Sequence, residues 1–434
     1  MLMMLFTNIF LKYWVVNFFT IFLVMFLYLF YMNQSFSWSM DYMFNYSSIS
    51  NLMILLSLIL CVLTLVSTPE NKNKKYLMYI CSLSIILVVC FSADNSMVFY
   101  IFFEASLIPT LMLVVSWGYQ PERLQAGVYM MIYTVTASLP LLMLMFARCK
   151  YEGTLMFSLF NMVFYPQQMS MTVVMSLAFL VKLPIYSCHL WLPKAHVEAS
   201  LAGSMILAGI LLKLGGFGLI QMSKMFELTG ISKNNTLLLI MSVSFFGGFL
   251  ASLMCMRQND MKAFVAYSSV SHMSLVIVGI MYDKIWGVMS ATITMFAHGL
   301  SSSALFCMTY FTYLKVHSRS MIYIKGMLQL FPILSMFWFF FCSLNMAVPP
   351  SLNLLGEMFV IPVLYSVSML FIFLMGLMIF MSAVYNMYLY SLINHGCLSD
   401  YIFPSLPMKT YQMTSLLFHM IPFLLIFKLD MFLI

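Results

Sequence analysis

The sequence predicts an all-α protein that crosses a membrane many times. Of its 434 residues, 63% are hydrophobic and only 8% are charged, and the mean hydropathy is +0.99. A soluble domain carries roughly 25% charged residues, so this chain lacks the polar coat that keeps a protein in water. Because a spanning helix needs about 20 apolar residues, the chain has room for about 13–14 transmembrane helices joined by short loops.

Apolar stretches between polar residues mark the predicted spans. They lie near 1–11, 13–32, 50–68, 76–93, 95–116, 124–147, 169–192, 202–222, 235–255, 263–282, 286–313, 327–346, 350–365, 367–391 and 410–428. The stretches at 327–346 and 350–365 are expected to form one broken span, and 1–11 is short for a crossing. We divide the chain into N-terminal helices at 1–75, one repeat at 76–222, a second repeat at 235–391 and a C-terminal helix at 410–434.

Alternate loops are expected on opposite sides of the membrane. One set, at 69–75, 117–123, 193–201, 256–262, 314–326 and 392–409, carries about eleven Lys and Arg, and the other set carries about five. The positive-inside rule then places the first set on the cytoplasm or matrix side. The one basic cluster, Lys72, Lys74 and Lys75, lies in such a loop and fits a topology signal better than lipid or nucleic-acid binding.

Known signatures of redox, metal and hydrolytic sites are missing from the sequence. The nine cysteines form no CxxC pair and most lie in apolar runs, so they are expected to be small buried hydrophobic residues. Gly215, Gly216 and Gly218 follow an apolar helix rather than a strand, which indicates close helix packing and not a phosphate loop. We therefore expect the chain to bind no cofactor and no metal itself.

One span in each half is interrupted by proline. The first is LVKLPIYSCHLWLP around Pro184, and the second is MAVPPSLNLLGEMF around Pro349 and Pro350. Proline removes a backbone donor, and broken backbone persists at membrane depth only where it faces protein or a wet cavity. A matched pair of breaks is typical of inverted repeats with a transport site. Lys182 and Glu357 stand beside the two breaks, which strengthens this interpretation.

Four ionisable residues lie inside apolar stretches, where burying an unpaired charge costs at least about 2.5–3.5 kcal/mol. They are Glu104, Lys182, Lys213 and Glu357. Glu104 and Lys182 have opposite charges, so one can partner the other. A nearby carboxylate favours the charged lysine, so a change in that carboxylate would let the lysine take or release a proton.

Histidines add candidate proton carriers at similar depth. His298 lies in ATITMFAHGLSSSALF, and His272 lies among serines in AYSSVSHMSLVIV. A neutral imidazole both donates and accepts, so it can pass a proton along a hydrogen-bonded chain, although structural hydrogen bonding is the competing interpretation. His189 and His196 flank the first break and are expected at its mouth.

Several long motifs resemble the antiporter-like subunits of respiratory complex I. They are FFEASLIPTLMLVVSWGYQPERLQAGVYMMIY (102–133), LPIYSCHLWLPKAHVEASLAGSMILAGILLKLGGFG (183–218), DMKAFVAYSSVSHM (260–273), FAHGL (296–300) and PPSLNLLGE (349–357). The resemblance covers about 95–425. It implies about 14 helices with two inverted five-helix repeats, each containing one broken helix. By motif position it also implies a proton-transfer axis formed by Glu104, Lys182, Lys213, His272, His298 and Glu357.

The resemblance further implies that NADH oxidation and ubiquinone reduction occur in other subunits, which hold the NADH, FMN, iron–sulfur clusters and ubiquinone. Expected partners are neighbouring membrane-arm subunits, including other antiporter-like ones, together with phospholipids and no nucleic acid. The implied location is the mitochondrial inner membrane, and the 46 methionines fit a mitochondrial gene. Ser200, Leu314 and Lys315 depart from the family pattern at a loop and an edge helix.

Two other functions remain open from the residues alone. A secondary cation/proton antiporter would use the same buried ionisable set. A structural spacer would hold these charges as static ion pairs, and replacing the pair by apolar residues would then leave coupling intact. Proton translocation is the interpretation that uses the whole set.

Overall fold

The computed structural model describes residues 2–10, 13–34, 39–40, 44–160, 169–226, 235–399 and 407–421. The helices are α1 Leu2–Phe10, α2 Trp14–Gln34, α3 Ser48–Ser67, α4 Lys74–Ser92, α5 Ser96–Ala105, α6 Leu107–Trp117, α7 Arg123–Glu152, α8 Phe157–Phe160, α9 Met169–Lys182, α10 Trp191–Glu198, α11 Leu201–Ile206, α12 Leu212–Phe226, α13 Asn235–Cys255, α14 Met261–Met281, α15 Ile285–Val316, α16 Met327–Leu330, α17 Pro332–Asn345, α18 Leu352–Tyr365, α19 Met369–Asn394 and α20 Thr410–His419. One short antiparallel ladder pairs Ser39–Met40 (β1) with Asn45–Tyr46 (β2).

The predicted all-α membrane fold is confirmed. Ten helices in the described part of the chain are long and apolar enough to cross a membrane, and three shorter apolar helices accompany them. Every predicted span overlaps at least one helix, and those at 95–116, 169–192 and 202–222 are each divided between two or more helical segments. The first helix, α1, has nine residues, fewer than the roughly 20 that a crossing needs. The end of the C-terminal span, 422–428, lies outside the described residues.

The helices form an inner group surrounded by an outer wall. Nearly all residues of α3, α14 and the segment Leu201–Ser223 are buried, and so is the most apolar stretch of α15. By contrast, only a third of α7 and of α19 is buried, and both present apolar side chains outward. A helix that is apolar all round can be buried in the centre of a bundle or can face lipid. Of the predicted site residues, Lys213, His272 and His298 lie on the inner group, and Lys182 and Glu357 lie on helices packed against it.

The first break separates α9 from α10. Pro184 has no N–H, and the N–H of Ile185 bonds the carbonyl of Leu180 rather than that of Val181. The indole Nε1 of Trp191, at the start of α10, donates to the carbonyl of Val181 at 3.0 Å. A side chain beyond the break therefore satisfies a carbonyl that the break leaves without its helical partner.

The second break separates α17 from α18, and here too a side chain after the break donates to a carbonyl of the helix before it. Asn353 Nδ2, in the first turn of α18, donates to the carbonyl of Leu344 at 2.8 Å. Asn345, the last residue of α17, donates from Nδ2 to Asn386 Oδ1 at 3.1 Å. In both halves the side-chain donor comes from the helix after the break. Its acceptor belongs to the penultimate residue of the helix before the break.

Candidate functional site

Lys213, in the first turn of α12, is fully buried. A π-helical turn, Leu207–Leu211, precedes α12, and the N–H of Leu212 donates to the carbonyl of Leu207 five residues back. Lys213 Nζ donates to the carbonyl of Ala208 at 2.6 Å. Such turns are frequent at functional sites, because one extra residue rotates the side chains that follow it. Here the turn supplies a carbonyl acceptor to a lysine within the membrane.

His298 is the side-chain partner of Lys213. The Nζ of Lys213 lies 3.0 Å from Nδ1 of His298, which is also buried. The contact depends on glycines at the crossing of the π turn with α15. A Cβ on Gly209 would lie 3.3 Å from the carbonyl oxygen of Gly299, and a Cβ on Gly299 would lie 3.3 Å from that of Gly209. The absence of both side chains lets the two backbones approach.

The chain of buried polar groups continues from His298 to α14 and α19. The rings of His298 and His272 are neighbours, with centroids 5.4 Å apart. His272 Nε2 lies 3.1 Å from the hydroxyl of Tyr385, and that hydroxyl lies 3.4 Å from Ser271 Oγ. Lys213, His298, His272 and Tyr385 therefore form a sequence of neighbouring polar side chains from α12 to α19.

Glu357 lies just beyond the second break on α18 and is 4% exposed. This helix packs against α14, α15 and α19, which carry the two histidines and Tyr385. Glu357 also lies within electrostatic range of Tyr385. The tyrosine hydroxyl is thus adjacent to His272 and is influenced by the charge of Glu357.

Lys182, the last residue of α9, is buried against α5. Its Nζ donates to the carbonyl of Phe103 at 3.0 Å and lies 3.0 Å from the centroid of the Phe103 ring. An ammonium over an aromatic face is stabilised by the ring's electron density. The charge of Lys182 is therefore held by a carbonyl oxygen and a π face.

Glu104 lies beside this contact but does not touch Lys182. These two residues form no ion pair within the described residues, and that one partners the other through its charge stays a prediction. Glu104 Oε1 is buried and has no hydrogen-bond partner there. Pro109 cannot donate to the carbonyl of Ala105, and the span breaks at Ser106 between α5 and α6. The two charges act on each other through space, and Phe103, which directly precedes Glu104 in sequence, is the residue that contacts Lys182.

The structure brings Lys213, His272 and His298 together, whereas Glu104 and Lys182 form a second group. Sequence reasoning missed Tyr385, which completes the first group. Its signal was a polar set inside an apolar span, Ser382, Tyr385 and Asn386, but such sets are common in membrane helices. The expectation that the glycines after Lys213 pack closely is confirmed, because Gly215 faces Leu183 and Gly216 faces Met295.

A further polar cluster lies at the end of α10. Arg319 Nη1 lies 3.9 Å from Glu198 Oε1 and donates to the carbonyl of Val197. Burial raises the pKa of the Glu198 carboxyl, although Arg319 opposes the shift. Lys262, at the start of α14, donates from Nζ to the carbonyl of Ala199 at 3.0 Å. His189 and His196, the two histidines that flank the first break, are both buried, and their place at its mouth stays a prediction.

No group of three or more metal-binding side chains occurs in the described part of the chain. All nine cysteines are free, and six of them are buried. What the site offers chemically is a set of lysine, histidine, tyrosine and glutamate side chains that can hold and pass protons.

Two matched breaks and a central row of buried ionisable groups define the chain as a polytopic membrane protein of the antiporter-like class. The family described as NADH:quinone oxidoreductase/Mrp antiporter, transmembrane, matches residues 93–384. The chain belongs to this family, as the motifs indicated.

Similar proteins agree with this assignment. The NADH-ubiquinone oxidoreductase chain 4 of Albinaria caerulea is 45% identical over 415 residues, which is 94% of each chain. That of Lumbricus terrestris is 46% identical over 361 residues, covering 82% of this chain and 79% of the relative. Within the family, the motifs most resemble this same subunit 4, and the relatives confirm that prediction.

Solved structures show the same fold. A chain of respiratory complex I from Thermus thermophilus has a TM-score of 0.87 at 19% identity, covering 99% of this chain and 95% of that one. A chain of the Mrp complex from a Dietzia species has a TM-score of 0.80 at 13% identity, covering 90% and 83%. Both likenesses concern the fold alone, because sequence identity is low.

Proposed function

We propose that this chain is a proton-translocating membrane-arm subunit of respiratory complex I in the mitochondrial inner membrane. It passes protons through a buried axis of lysine, histidine and glutamate side chains. NADH oxidation and ubiquinone reduction, with FMN and iron–sulfur clusters, belong to other subunits, so this chain contributes the translocase part of an NADH:ubiquinone reductase. Its partners are neighbouring membrane-arm subunits, other antiporter-like chains among them, and phospholipids.

The contact of Lys213 with His298 is the observation that carries this proposal. A charged lysine has only N–H donors, so Nδ1 of His298 accepts while Lys213 is protonated. If the proton crosses the 3.0 Å contact, the imidazole becomes cationic and can release a proton from Nε2. The histidine is then neutral, and it can accept from Lys213 again once its ring has turned or its tautomer has changed. This is proton transfer through a group that both donates and accepts.

From His298 the proton moves toward the second break. The His272 ring is the next neighbour, and its Nε2 contacts the Tyr385 hydroxyl. A hydroxyl can donate one proton while accepting another, so Tyr385 extends the axis toward Glu357. Glu357, beside the second break, is the terminal carboxylate of the axis. Broken backbone at that point is compatible with a wet cavity leading out.

Lys182 and Glu104 act as the modulating pair of the axis. The Phe103 carbonyl and ring hold the Lys182 ammonium, while the Glu104 charge acts without a direct contact. Moving or neutralising that carboxylate changes how strongly the ammonium is favoured, and no bond must break first. Lys182 can therefore gain or lose its proton in response to a neighbouring charge.

Two inverted repeats, 76–222 and 235–391, organise this pathway in our proposal, with 1–75 and 410–434 outside them. The support is the matched construction of the two breaks. At the first break Trp191 donates a hydrogen bond, and at the second break Asn353 does. In each case the acceptor is the carbonyl of the penultimate residue of the preceding helix. Transport sites in inverted repeats lie at such discontinuous helices.

A secondary cation/proton antiporter is the second candidate, favoured by the likeness of the fold to the Mrp complex. The curated relatives, at 45–46% identity, carry the complex I name. Sodium-dependent transport by the isolated chain would support the antiporter. Recovery of the chain with the redox subunits would support the complex I assignment.

Replacing Lys213 by methionine in the assembled complex tests the proposal. Lys213→Met keeps the length of the side chain and removes a buried cation, so assembly should persist while fewer protons are pumped per NADH oxidised. The measurement is proton uptake or release by reconstituted vesicles during NADH oxidation. Lys284→Met, in the loop before α15, is the matched control. Normal pumping by an assembled Lys213→Met complex would contradict the proposal.

A further inference from the structure

A polar pocket opens beside the first turn of α7 and the end of α10, away from the six residues of the predicted axis. Its cavity volume is about 340 Å³, and polar groups of its lining come from Glu122, Gln125, Lys194, Glu198, Gln258 and Tyr267. Because one water in the liquid takes about 30 Å³, the pocket has room for roughly ten groups of that size. A phosphate that carries a short organic substituent would fill such a space.

The surface next to the pocket changes from polar to apolar along both helices. On α7, Gln125 lines the pocket, whereas Val128, almost one turn further, is 56% exposed. On α10, Lys194 lines the pocket, whereas Leu190, about 6 Å back along the helix, is 52% exposed. Lys194 Nζ lies 4.1 Å from the centroid of the Tyr129 ring, so the two changes occur at the same level. Lysine and tyrosine at such a change are typical of the boundary between lipid headgroups and acyl chains.

Lys194 places a positive charge at the rim of the pocket. Its side chain is exposed, and its ammonium lies over the Tyr129 ring without forming an ion pair with any described residue. A lysine ammonium has three N–H donors and binds phosphate groups as a compact charge. The rim therefore suits the phosphate of a lipid headgroup, with the acyl chains continuing over the exposed apolar residues beside it.

Two carboxylates in the same pocket favour a cation. Glu122 is exposed, Glu198 is 5% exposed, and each lies within electrostatic range of the other. Arg319 and Lys262 also act on Glu198, whereas Glu122 forms no ion pair among the described residues. Glu198 Oε1 faces Arg319 at 3.9 Å, but Oε2 is buried and has no hydrogen-bond partner in the described part of the chain. Because a buried acceptor without a donor lowers stability, a cation with N–H groups fits better than one without.

We infer that this pocket binds the headgroup of phosphatidylethanolamine, a phospholipid that carries both a phosphate and a primary ammonium. Lys194 contacts the phosphate, and Glu122 and Glu198 accept N–H groups of the ammonium. Phosphatidylcholine has the phosphate but no N–H donor, and cardiolipin has phosphates but no cation, so each satisfies only part of the pocket. The inference uses the membrane location of the chain and does not depend on proton transfer.

Photoreactive lipids test this site in the assembled complex. The complex is placed in phosphatidylcholine vesicles that contain a trace of phosphatidylethanolamine with a photoreactive group in its acyl chain. After illumination, mass spectrometry measures the label on 124–132, the part of α7 beside the pocket. We expect about tenfold more label than from a phosphatidylcholine probe with the same acyl chain, a ratio that corresponds to about 1.4 kcal/mol. Unlabelled phosphatidylethanolamine should compete with the probe, and unlabelled cardiolipin should not.

Variants of the pocket separate the two contacts. Glu122→Gln removes an exposed charge, so assembly should persist, while labelling by the phosphatidylethanolamine probe should fall to the level of the phosphatidylcholine probe. Glu198→Gln should have the same effect. Lys194→Met should lower labelling by both probes, because both lipids carry the phosphate. Glu70→Gln removes an exposed carboxylate that pairs with Lys409 outside the pocket, so it is the matched control and should leave labelling unchanged.

The outcomes also separate this inference from the proposed function. Equal labelling by the two probes would reveal an unselective lipid-facing surface and overturn the site. Absence of label from every probe would mean that a neighbouring subunit covers the pocket, which overturns the site as well. Preference for phosphatidylethanolamine that is lost in an assembled Glu122→Gln complex would support it. Normal pumping by Lys213→Met would remove the proposed function and leave the lipid site standing.

Discussion

Lys213 and His298 are 85 residues apart in sequence, yet Nζ of the lysine lies 3.0 Å from Nδ1 of the histidine. The lysine comes from α12 and the histidine from α15, so the contact joins the two halves of the chain. Its partners on either side are the carbonyl of Ala208 and the ring of His272. A proton on Lys213 therefore has an acceptor directly available, and that acceptor has a neighbour beyond it.

Adding a methyl group at Gly299 should weaken the Lys213–His298 contact. The new Cβ would lie 2.9 Å from Leu56 Cδ2 and 3.3 Å from the carbonyl oxygen of Gly209. We expect Gly299→Ala to cost about 1–3 kcal/mol of stability by overpacking and to lower proton pumping. The midpoint of thermal inactivation and the protons pumped per NADH are the measurements. Gly376→Ala, where nothing lies within 4 Å, should alter neither.

Removing the Tyr385 hydroxyl should interrupt the axis between His272 and Glu357. Tyr385→Phe keeps the buried ring and deletes the group that lies 3.1 Å from His272 Nε2. One hydrogen bond contributes about 0.5–1.5 kcal/mol, so the complex should assemble while pumping falls. Tyr388→Phe on the same helix serves as the control. Equal pumping by the two variants would exclude Tyr385 from the pathway.

The indole N–H of Trp191 should stabilise the first break. Trp191→Phe leaves the Val181 carbonyl without its donor, at a cost of about 1–3 kcal/mol. Trp338→Phe is the comparison, because Trp338 is also buried but its Nε1 has no hydrogen-bond partner among the described residues. Thermal inactivation of the complex should therefore occur at a lower temperature for Trp191→Phe than for Trp338→Phe. The reverse order would contradict the assigned closure.

Neutralising Glu104 should change pumping without changing assembly. Glu104→Gln preserves shape and breaks no ion pair, since Lys182 is held by Phe103. Without the negative charge of Glu104, the charged form of Lys182 becomes less favourable. We therefore expect fewer protons to be pumped per NADH oxidised. Glu70→Gln removes an exposed carboxylate that pairs with Lys409, an interaction of about 0–1 kcal/mol, and should pump normally. A static structural role for Glu104 predicts unchanged pumping in both variants.

Much of the fold follows from local properties of the sequence. The length of each apolar stretch predicts a span, and the prolines predict the breaks next to Lys182 and Glu357. Both properties are local, because they depend on residues that are close together in the sequence. The π turn before Lys213 was not predictable in the same way. Its insertion into an apolar helix carries no proline and depends on how the segment packs against α3 and α15.

The sequence by itself determined that ionisable residues lie within a multi-spanning membrane protein, and it identified six of them. Only the tertiary structure decided which side chains meet. It joined Lys213 to His298, added Tyr385 beside His272, placed His196 in the interior and kept Glu104 away from Lys182. The physical reason is distance. The cost of burying a charge can be judged from the residues of one segment. A contact of about 3 Å depends instead on how closely two distant backbones approach, here at Gly209 and Gly299.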